Sequence, residues 1–317
     1  MKMKINIYNE DCITGAKNIE DKSVDLIICD PPFGIDETGF GKHYNRKEGS
    51  IIEGYVEAPS DYDTFTFNWI QEAKRIMKDD GSMYIVSGWS NLSSIYKALD
   101  KLDLYTINHI VWKYNFGVAT KSKFVSAHYH IFYISKNKKT KVKFNKNAYF
   151  SQVDKDISGR SLQYADMEDV WIINKEYQSS GMKNMNKLPS KLVEKIINYS
   201  SDKNDMVCDF FMGSFTTADC ALRLGRNTCG FELNKNSYEY YFSKMSEIDF
   251  GIDYLEPKKD DHFPNQGKAI TNKERLEIVT KFNFNKGTKK QRINELSIEF
   301  GRGYFSILNI INNETHN

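Results

Sequence analysis

Seven short, nearly continuous apolar runs lie at residues 4–8, 24–29, 82–87, 105–112, 130–134, 206–209 and 228–231. They alternate with five stretches of helical apolar spacing, at 64–77, 91–102, 191–199, 216–224 and 235–245. A strand that is apolar on both sides has to be covered on both faces, and the intervening helices are the elements available to cover it. The pattern predicts an α/β fold, a mostly parallel twisted sheet with helices on both faces. Residues 105–112 and 130–134 follow each other with no helix between them, so that part of the sheet is expected to be antiparallel.

Three stretches depart from the alternation. Residues 34–62 form a polar loop long enough to act as a lid or binding loop. Residues 136–185 open on KNKKTKVKFNKN and read as an insertion. Beyond Glu256, PKKDDHFPNQGK reads as a linker and 271–313 as a small helical appendage. Six prolines and 19 glycines in 317 residues exclude a fibrous or low-complexity chain. No apolar stretch approaches the roughly 20 residues of a membrane helix, and MKMKINIYNED lacks a signal peptide's apolar centre. The expectation is a cytoplasmic protein with no membrane partner. Cys12, Cys29, Cys208, Cys220 and Cys229 are scattered, which suggests reduced, buried thiols. No metal site is expected, and His128 and His130 are read as facing opposite sides of their strand. The formal charge is only +2, so a polyanionic partner requires a local basic patch.

The residues richest in chemistry are Asp30-Pro31-Pro32-Phe33, directly after the run at 24–29. The carboxyl end of a strand is where open α/β sheets bind ligands. Two prolines fix φ and remove donors, leaving a rigid set of acceptors. Such a set suits a planar exocyclic amine, whose lone pair is delocalised into its ring. Accepting its two N–H groups at the Asp30 carboxylate and the Pro31 carbonyl localises that lone pair, while Phe33 stacks on the ring. A turn with a capping Asp accounts for the isolated motif equally well.

A second motif decides between these readings. The run at 206–209 leads through Phe210-Phe211-Met212-Gly213-Ser214-Phe215-Thr216-Thr217 into a helix, placing the Ser214, Thr216 and Thr217 hydroxyls at its N-terminus, a carboxylate site. Glu232 ends the next strand, about 20 residues past the loop, where an acid that binds ribose hydroxyls belongs. The loop lacks the glycine patterns of dinucleotide and triphosphate sites. A nucleoside-bearing cofactor with a carboxylate, S-adenosylmethionine, fits this pair. Asp11, in Asn9-Glu10-Asp11-Cys12, is a candidate for the adenine amino group of the cofactor, or a strand-end cap.

With these residues in place, the sequence resembles the amino-group (N6-adenine/N4-cytosine) DNA methyltransferases in their permuted beta arrangement, over roughly residues 4–245. Asp30-Pro31-Pro32-Phe33 matches the catalytic motif; Asp209, Phe211, Gly213, Ser214, Thr216 and Thr217 match the DPFxGSGTT loop. Asn186-Lys187-Leu188-Pro189 resembles the segment that closes over the methionine end of the cofactor. The resemblance implies a Rossmann-like S-adenosylmethionine-dependent methyltransferase fold, with a catalytic domain at 1–135 and 186–256, a target-recognition insertion at 136–185, and a linker and helical appendage at 257–317. It implies Asp30, Pro31, Pro32 and Phe33 as catalytic. It adds Cys12, Asp30, Pro189, Ser190 and Asn234 to the cofactor set of Asp11, Asp209, Phe211, Gly213, Ser214, Thr216, Thr217 and Glu232. Three positions depart from the pattern: Phe210 for a proline, Phe215 for the second glycine, and Tyr129 for an acid after His128. Phe215 is expected to hold the loop farther from the cofactor.

The resemblance also implies double-stranded DNA as partner, a base flipped into the Asp30 pocket, and a cognate restriction endonuclease, for a monomer or homodimer. The aspartate in the motif points to adenine N6, since relatives acting on cytosine N4 more often carry serine. Lys136, Lys138, Lys139, Lys141 and Lys143 are the expected DNA contacts, although a lysine-rich loop is also an ordinary solvated surface. Alternatives are a cytosine-N4 enzyme, a methyltransferase for RNA or a protein glutamine, whose motif order differs, and a catalytically silent DNA- or cofactor-binding module. In the tail, Lys289-Lys290-Gln291-Arg292 precedes two expected helices around a Gly301 turn, resembling a helix-turn-helix weakly and a packing or dimerisation appendage as well.

Overall fold

The computed structural model describes residues 3–33, 58–115, 117, 119, 121–176, 187–258, 265 and 268–315. Among these, the seven apolar runs and one further strand, β6, from within the expected insertion, assemble into a sheet of eight strands: β1 (Ile5–Tyr8), β2 (Val24–Cys29), β3 (Met77–Ser87), β4 (Tyr105–Lys113), β5 (His128–Ser135), β6 (Val170–Ile172), β7 (Met206–Asp209) and β8 (Asn227–Phe231). Their order is β1-β8-β7-β2-β3-β5-β4-β6. The first five are mutually parallel, β5 is antiparallel to both β3 and β4, and β6 adds parallel to β4. The expected antiparallel part is therefore β3-β5-β4, with Trp112 opposite Tyr129.

All six residues of the central strand β2 are buried, and its two faces feed two cores. Ile27 and Cys29 pack with Trp69, Ile70 and Ala73 of α2 (Tyr62–Ile76) and with Ile95 and Leu99 of α3 (Leu92–Lys101). Leu26 and Ile28 face Leu192, Val193 and Ile196 of α5 (Ser190–Ser200) and Cys220 of α6 (Thr216–Arg223). The helix α7 (Lys235–Met245) closes a third cluster over α6, and the four-residue α1 (Cys12–Gly15) follows β1. All five cysteines are buried and free.

Asp25 is the polar exception inside β2, 3% exposed. It accepts from Lys78 Nζ at 2.7 Å, Lys143 Nζ at 3.1 Å and the Met206 amide at 2.9 Å. Burial pushes its carboxyl up, and these donors outweigh burial and hold it below the usual range. β3 begins at Met77, five residues before the apolar run, where Met77 pairs with Val24 ahead of a register irregularity, and this early start sets Lys78 beside Asp25.

His128 and His130 lie on the same face of β5, their rings 5.0 Å apart, correcting the expectation of opposite faces. Side chains alternate with period two, so residues i and i+2 share a face. His109 joins them, its Nε2 2.8 Å from His130 Nδ1.

The chain divides into two compact units, Met1–Asn145 with Glu168–Glu256, and Lys146–Met167 with Pro257–Asn317. This division cuts through the expected insertion: its first ten residues fall with the sheet, and 146–167 fall with the C-terminal helices. The second unit holds α4 (Leu162–Asp166), α8 (Asn272–Phe284), α9 (Lys289–Glu299) and α10 (Tyr304–Thr315). Ile278, Phe282, Ile293, Leu296, Ile307, Ile310 and Ile311 form its core. Among the described residues no helix is long and apolar enough to cross a membrane. Most of the polar loop read at 34–62 lies outside the described residues.

Candidate active site

At the carboxyl edge of the parallel strands, the ends of β1, β2, β7 and β8 surround a cavity of about 380 Å³. Asp30, Pro31, Pro32 and Phe33 leave β2 directly into its wall. Asn91 Nδ2 donates to the Phe33 carbonyl at 2.9 Å and fixes the end of the motif. The Phe33 ring lies 5.8 Å from that of Tyr129, which is also 5.5 Å from Trp112 and 5.2 Å from Tyr114. Over this aromatic wall sits Lys175 Nζ, 4.8 Å from the Tyr114 ring and 4.9 Å from the Tyr129 ring, within cation–π range.

On the other side, Asp209 organises the loop after β7 from within. One oxygen accepts from the Phe211 amide at 2.8 Å and the other from Thr217 Oγ1 at 2.6 Å. The Gly213 amide donates to Glu232 Oε2 at 2.6 Å, and the Asn234 amide to Glu232 Oε1 at 2.7 Å. Gly213 has φ 52°, the left-handed region a glycine enters without strain. Ser237 Oγ donates to the Gly213 carbonyl, and Asn234 caps α7. Asn9 Nδ2 donates to the carbonyls of Glu232 and Leu233, tying the end of β1 to that of β8.

Phe215 takes the second-glycine position with φ 56° and is fully buried. Its side chain packs with Ile7, Ala218 and Tyr241, in a cluster under α6 and α7, and does not line the cavity. The left-handed backbone turns the ring away from the cavity, so the Phe215 side chain itself does not stand between the loop and an occupant there. Phe210, at the proline position, packs against Trp69 and Phe231.

Three carboxyl groups of this cavity are displaced the same way. Burial, then the neighbouring Asp209, raises Asp30 to about 7, against the pull of Lys175. Burial raises Asp209 to about 6 in spite of its bonds from Thr217 and Phe211, and Glu232 to about 7 in spite of the Asn234 and Gly213 amides. A wall of desolvated carboxylates favours a cationic occupant, because a positive charge relieves the cost of ionising them.

Most of the residues read from the sequence meet here: Asp11, Cys12, Asp30, Pro31, Pro32, Phe33, Asp209, Phe211, Gly213, Ser214, Thr216, Thr217, Glu232 and Asn234 all line the cavity. Two of them are engaged within the protein. Asp11 Oδ1 makes the strand-end cap that was one of its two expected roles, accepting from Ile13 and Thr14 at the start of α1. The Thr217 hydroxyl is spent on Asp209, leaving Ser214 and Thr216 as the loop's hydroxyls for a carboxylate. Pro189 and Ser190 do not line the cavity; Lys187 and Leu188 do, and Asn186 lies outside the described residues.

The basic stretch is not brought to the site. Lys136 pairs with Asp79, and Lys143 with Asp25 and Asp205, all at the amino end of the strands, opposite the cavity. Lys138, Lys139 and Lys141 are exposed on the same stretch. The sequence reading missed Val86, Trp112, Tyr129 and Lys175 as lining residues. Period-two counting along β3, β4 and β5 finds the first three, once the strand order is known. Lys175 has no local signal.

A family model described as a DNA methylase of the N6/N4 type matches residues 24–243. The type II methyltransferase M.HinfI of Haemophilus influenzae is 31% identical over 263 residues, 78% of this chain and 71% of that protein. M.BamHI of Bacillus amyloliquefaciens is 30% identical over 321 aligned residues, 92% of this chain and 72% of that protein. Among solved structures, the PvuII DNA methyltransferase, described as cytosine-N4-specific, aligns with a TM-score of 0.57 at 18% identity, covering 78% of this chain and 92% of that one. A complex of M1.HpyAVI with S-adenosylmethionine aligns with a TM-score of 0.51 at 22% identity, covering 76% and 98%.

Proposed function

Because the chain belongs to the N6/N4 DNA methylase family, we propose that it transfers a methyl group from S-adenosylmethionine to adenine N6 at a specific site in duplex DNA. The observation that carries this is the joining of Asp30-Pro31-Pro32-Phe33 to the Asp209–Glu232 loop system in one cavity.

S-adenosylmethionine, when bound, supplies an electrophilic methyl on a sulfonium. The residues fit it: Glu232 offers a carboxylate for ribose hydroxyls, Ser214 and Thr216 offer hydroxyls for its carboxylate, and Asp11 lines the wall for its base. The raised carboxyl groups suit its positive charge. On the base side, the ionised Asp30 carboxylate and the Pro31 carbonyl accept the two N–H groups of the target amine, drawing its nitrogen toward tetrahedral geometry. Phe33 and Tyr129 provide a stacking surface for a flipped base. When nitrogen gains the methyl it sheds one proton, and a carboxylate with a pKa of about 7 is matched to receive it at neutral pH.

Adenine is preferred over cytosine because the motif opens on aspartate. Relatives named as type II methyltransferases extend the reading to a partner endonuclease of the same specificity. Incubation with methyl-labelled cofactor and mixed DNA, followed by digestion to nucleosides, tests it. Label in N6-methyladenine is expected; label in N4-methylcytosine overturns the choice of base, and label in neither overturns the DNA reading.

A further inference from the structure

The C-terminal unit has no part in the chemistry described above. Its three long helices share one core, to which α8 contributes Ile278 and Phe282, α9 Ile293 and Leu296, and α10 Ile307, Ile310 and Ile311. Between α9 and α10 lie only four residues, Phe300–Gly301–Arg302–Gly303, with Gly301 at φ 57°. Arg302, 4% exposed, fixes this turn: it pairs through two nitrogens with Glu274 of α8 and donates to the carbonyls of Asn265, Lys268 and Ala269. The start of α9 is held by a reciprocal capping box between Thr288 and Gln291. A pair of helices joined by a rigid four-residue glycine turn and braced by a third is the plan of a helix-turn-helix.

The surface supports the same reading. Buried Ile307, Ile310 and Ile311 orient α10, leaving Phe305, Ser306, Asn309 and Asn313 exposed on the other side. From Tyr304 to Asn313 the helix carries no charged residue. A solvated helix face is ordinarily charged; this one presents two amides and a hydroxyl, groups that donate and accept at base edges, beside the exposed Phe305 ring, an apolar contact surface. Lys286, Lys289 and Lys290 are exposed around the start of α9. By sequence, residues 146–167 and 257–317 hold 14 Lys/Arg against 10 Asp/Glu, so this unit carries +4 of a chain total of +2.

We propose that α8–α10 form a second DNA-binding element, a helix-turn-helix that places α10 in the major groove with Ser306, Asn309 and Asn313 at base edges and the lysines of the α9 start on phosphates. The occupant is duplex DNA, the partner that suits a polar reading face flanked by lysines.

The test uses the full chain and a pool of random-sequence duplexes, with affinity read by fluorescence anisotropy over a range of salt. The Ser306→Asp/Asn309→Asp double variant is expected to bind roughly tenfold more weakly. Lys286→Ala/Lys289→Ala is expected to reduce the slope of log affinity against log salt by about 2. Asn309→Gln, which keeps the amide, is expected to retain more affinity than Asn309→Asp at an unchanged melting temperature. Unaltered affinity and slope in these variants overturn the proposal. So does a change of oligomeric state with DNA affinity intact, which assigns the face to a second copy. Methyl transfer to the same duplexes is read separately: loss of binding in the α10 variants of a protein that transfers no methyl supports this inference while removing the proposed function.

Discussion

At the scale of the residue, the proposed chemistry rests on Asp30, with Lys175 placed to tune it. In the proposed mechanism Asp30 must be ionised to accept hydrogen bonds from an amine, so with its pKa raised to about 7 the methylation rate is expected to rise as pH passes through neutrality and level off above it. Asp30→Ala is expected to lower turnover at least 100-fold, with cofactor affinity changed little. Loss of cofactor affinity as the main effect contradicts the assignment. Lys175 pulls the Asp30 pKa down while Glu10, Asp11, Asp209, Glu232 and Lys187 line the same cavity. Lys175→Met is expected to move the rising limb of the pH–rate profile to higher pH, and Lys175→Arg to restore it; an unmoved limb in the Met variant removes Lys175 from this role. Asp30 was legible because strand end, carboxylate and paired prolines coincide in four consecutive letters. Lys175 was not, because its place beside Asp30 follows from β6 pairing with β4, a contact between distant segments.

At the scale of the element, the start of α6 shows two local rules in conflict. A left-handed residue costs about 1–2 kcal/mol when it carries a Cβ, which favours glycine at Phe215. A buried phenyl ring lost from a core costs about 3–5 kcal/mol. Packing is the larger effect, so Phe215→Gly is expected to destabilise the protein by roughly 2 kcal/mol, seen as a lower denaturation midpoint. A more stable variant shows that the backbone strain was larger. Strands and helices whose apolar pattern is strong, such as β2, β7 and α7, were readable to within a residue. The first residues of β3 were not, because Lys78, Asp79 and Asp80 look like a turn until Asp25 is seen to need Lys78. The lysines after β5 hide a similar division, since Lys136 and Lys143 are held in ion pairs while Lys138, Lys139 and Lys141 are exposed, and composition alone does not separate the two groups.

At the scale of the whole molecule, the site weighs on stability. The Glu232 carboxyl titrates near 7 in the folded chain and near 4.5 when exposed. Folding therefore binds a proton between these values, and the stability this group contributes is greatest in acid and lost as pH rises through about 7. Glu232→Gln removes that dependence, so the melting temperature of wild type relative to the variant is expected to fall from about pH 5 to about pH 8. A constant difference refutes the linkage. A cationic cofactor binds best once these carboxylates are ionised, so calorimetry is expected to show its affinity rising over the same range. The two ends of the described sheet have a different consequence. The outermost strands, β1 and β6, are four and three residues long. A rim that short offers a foreign strand too few rungs for a stable ladder, although Val170 and Ile172 are exposed on it. The fold thus keeps a fully buried central strand out of reach of edge-to-edge aggregation at high concentration.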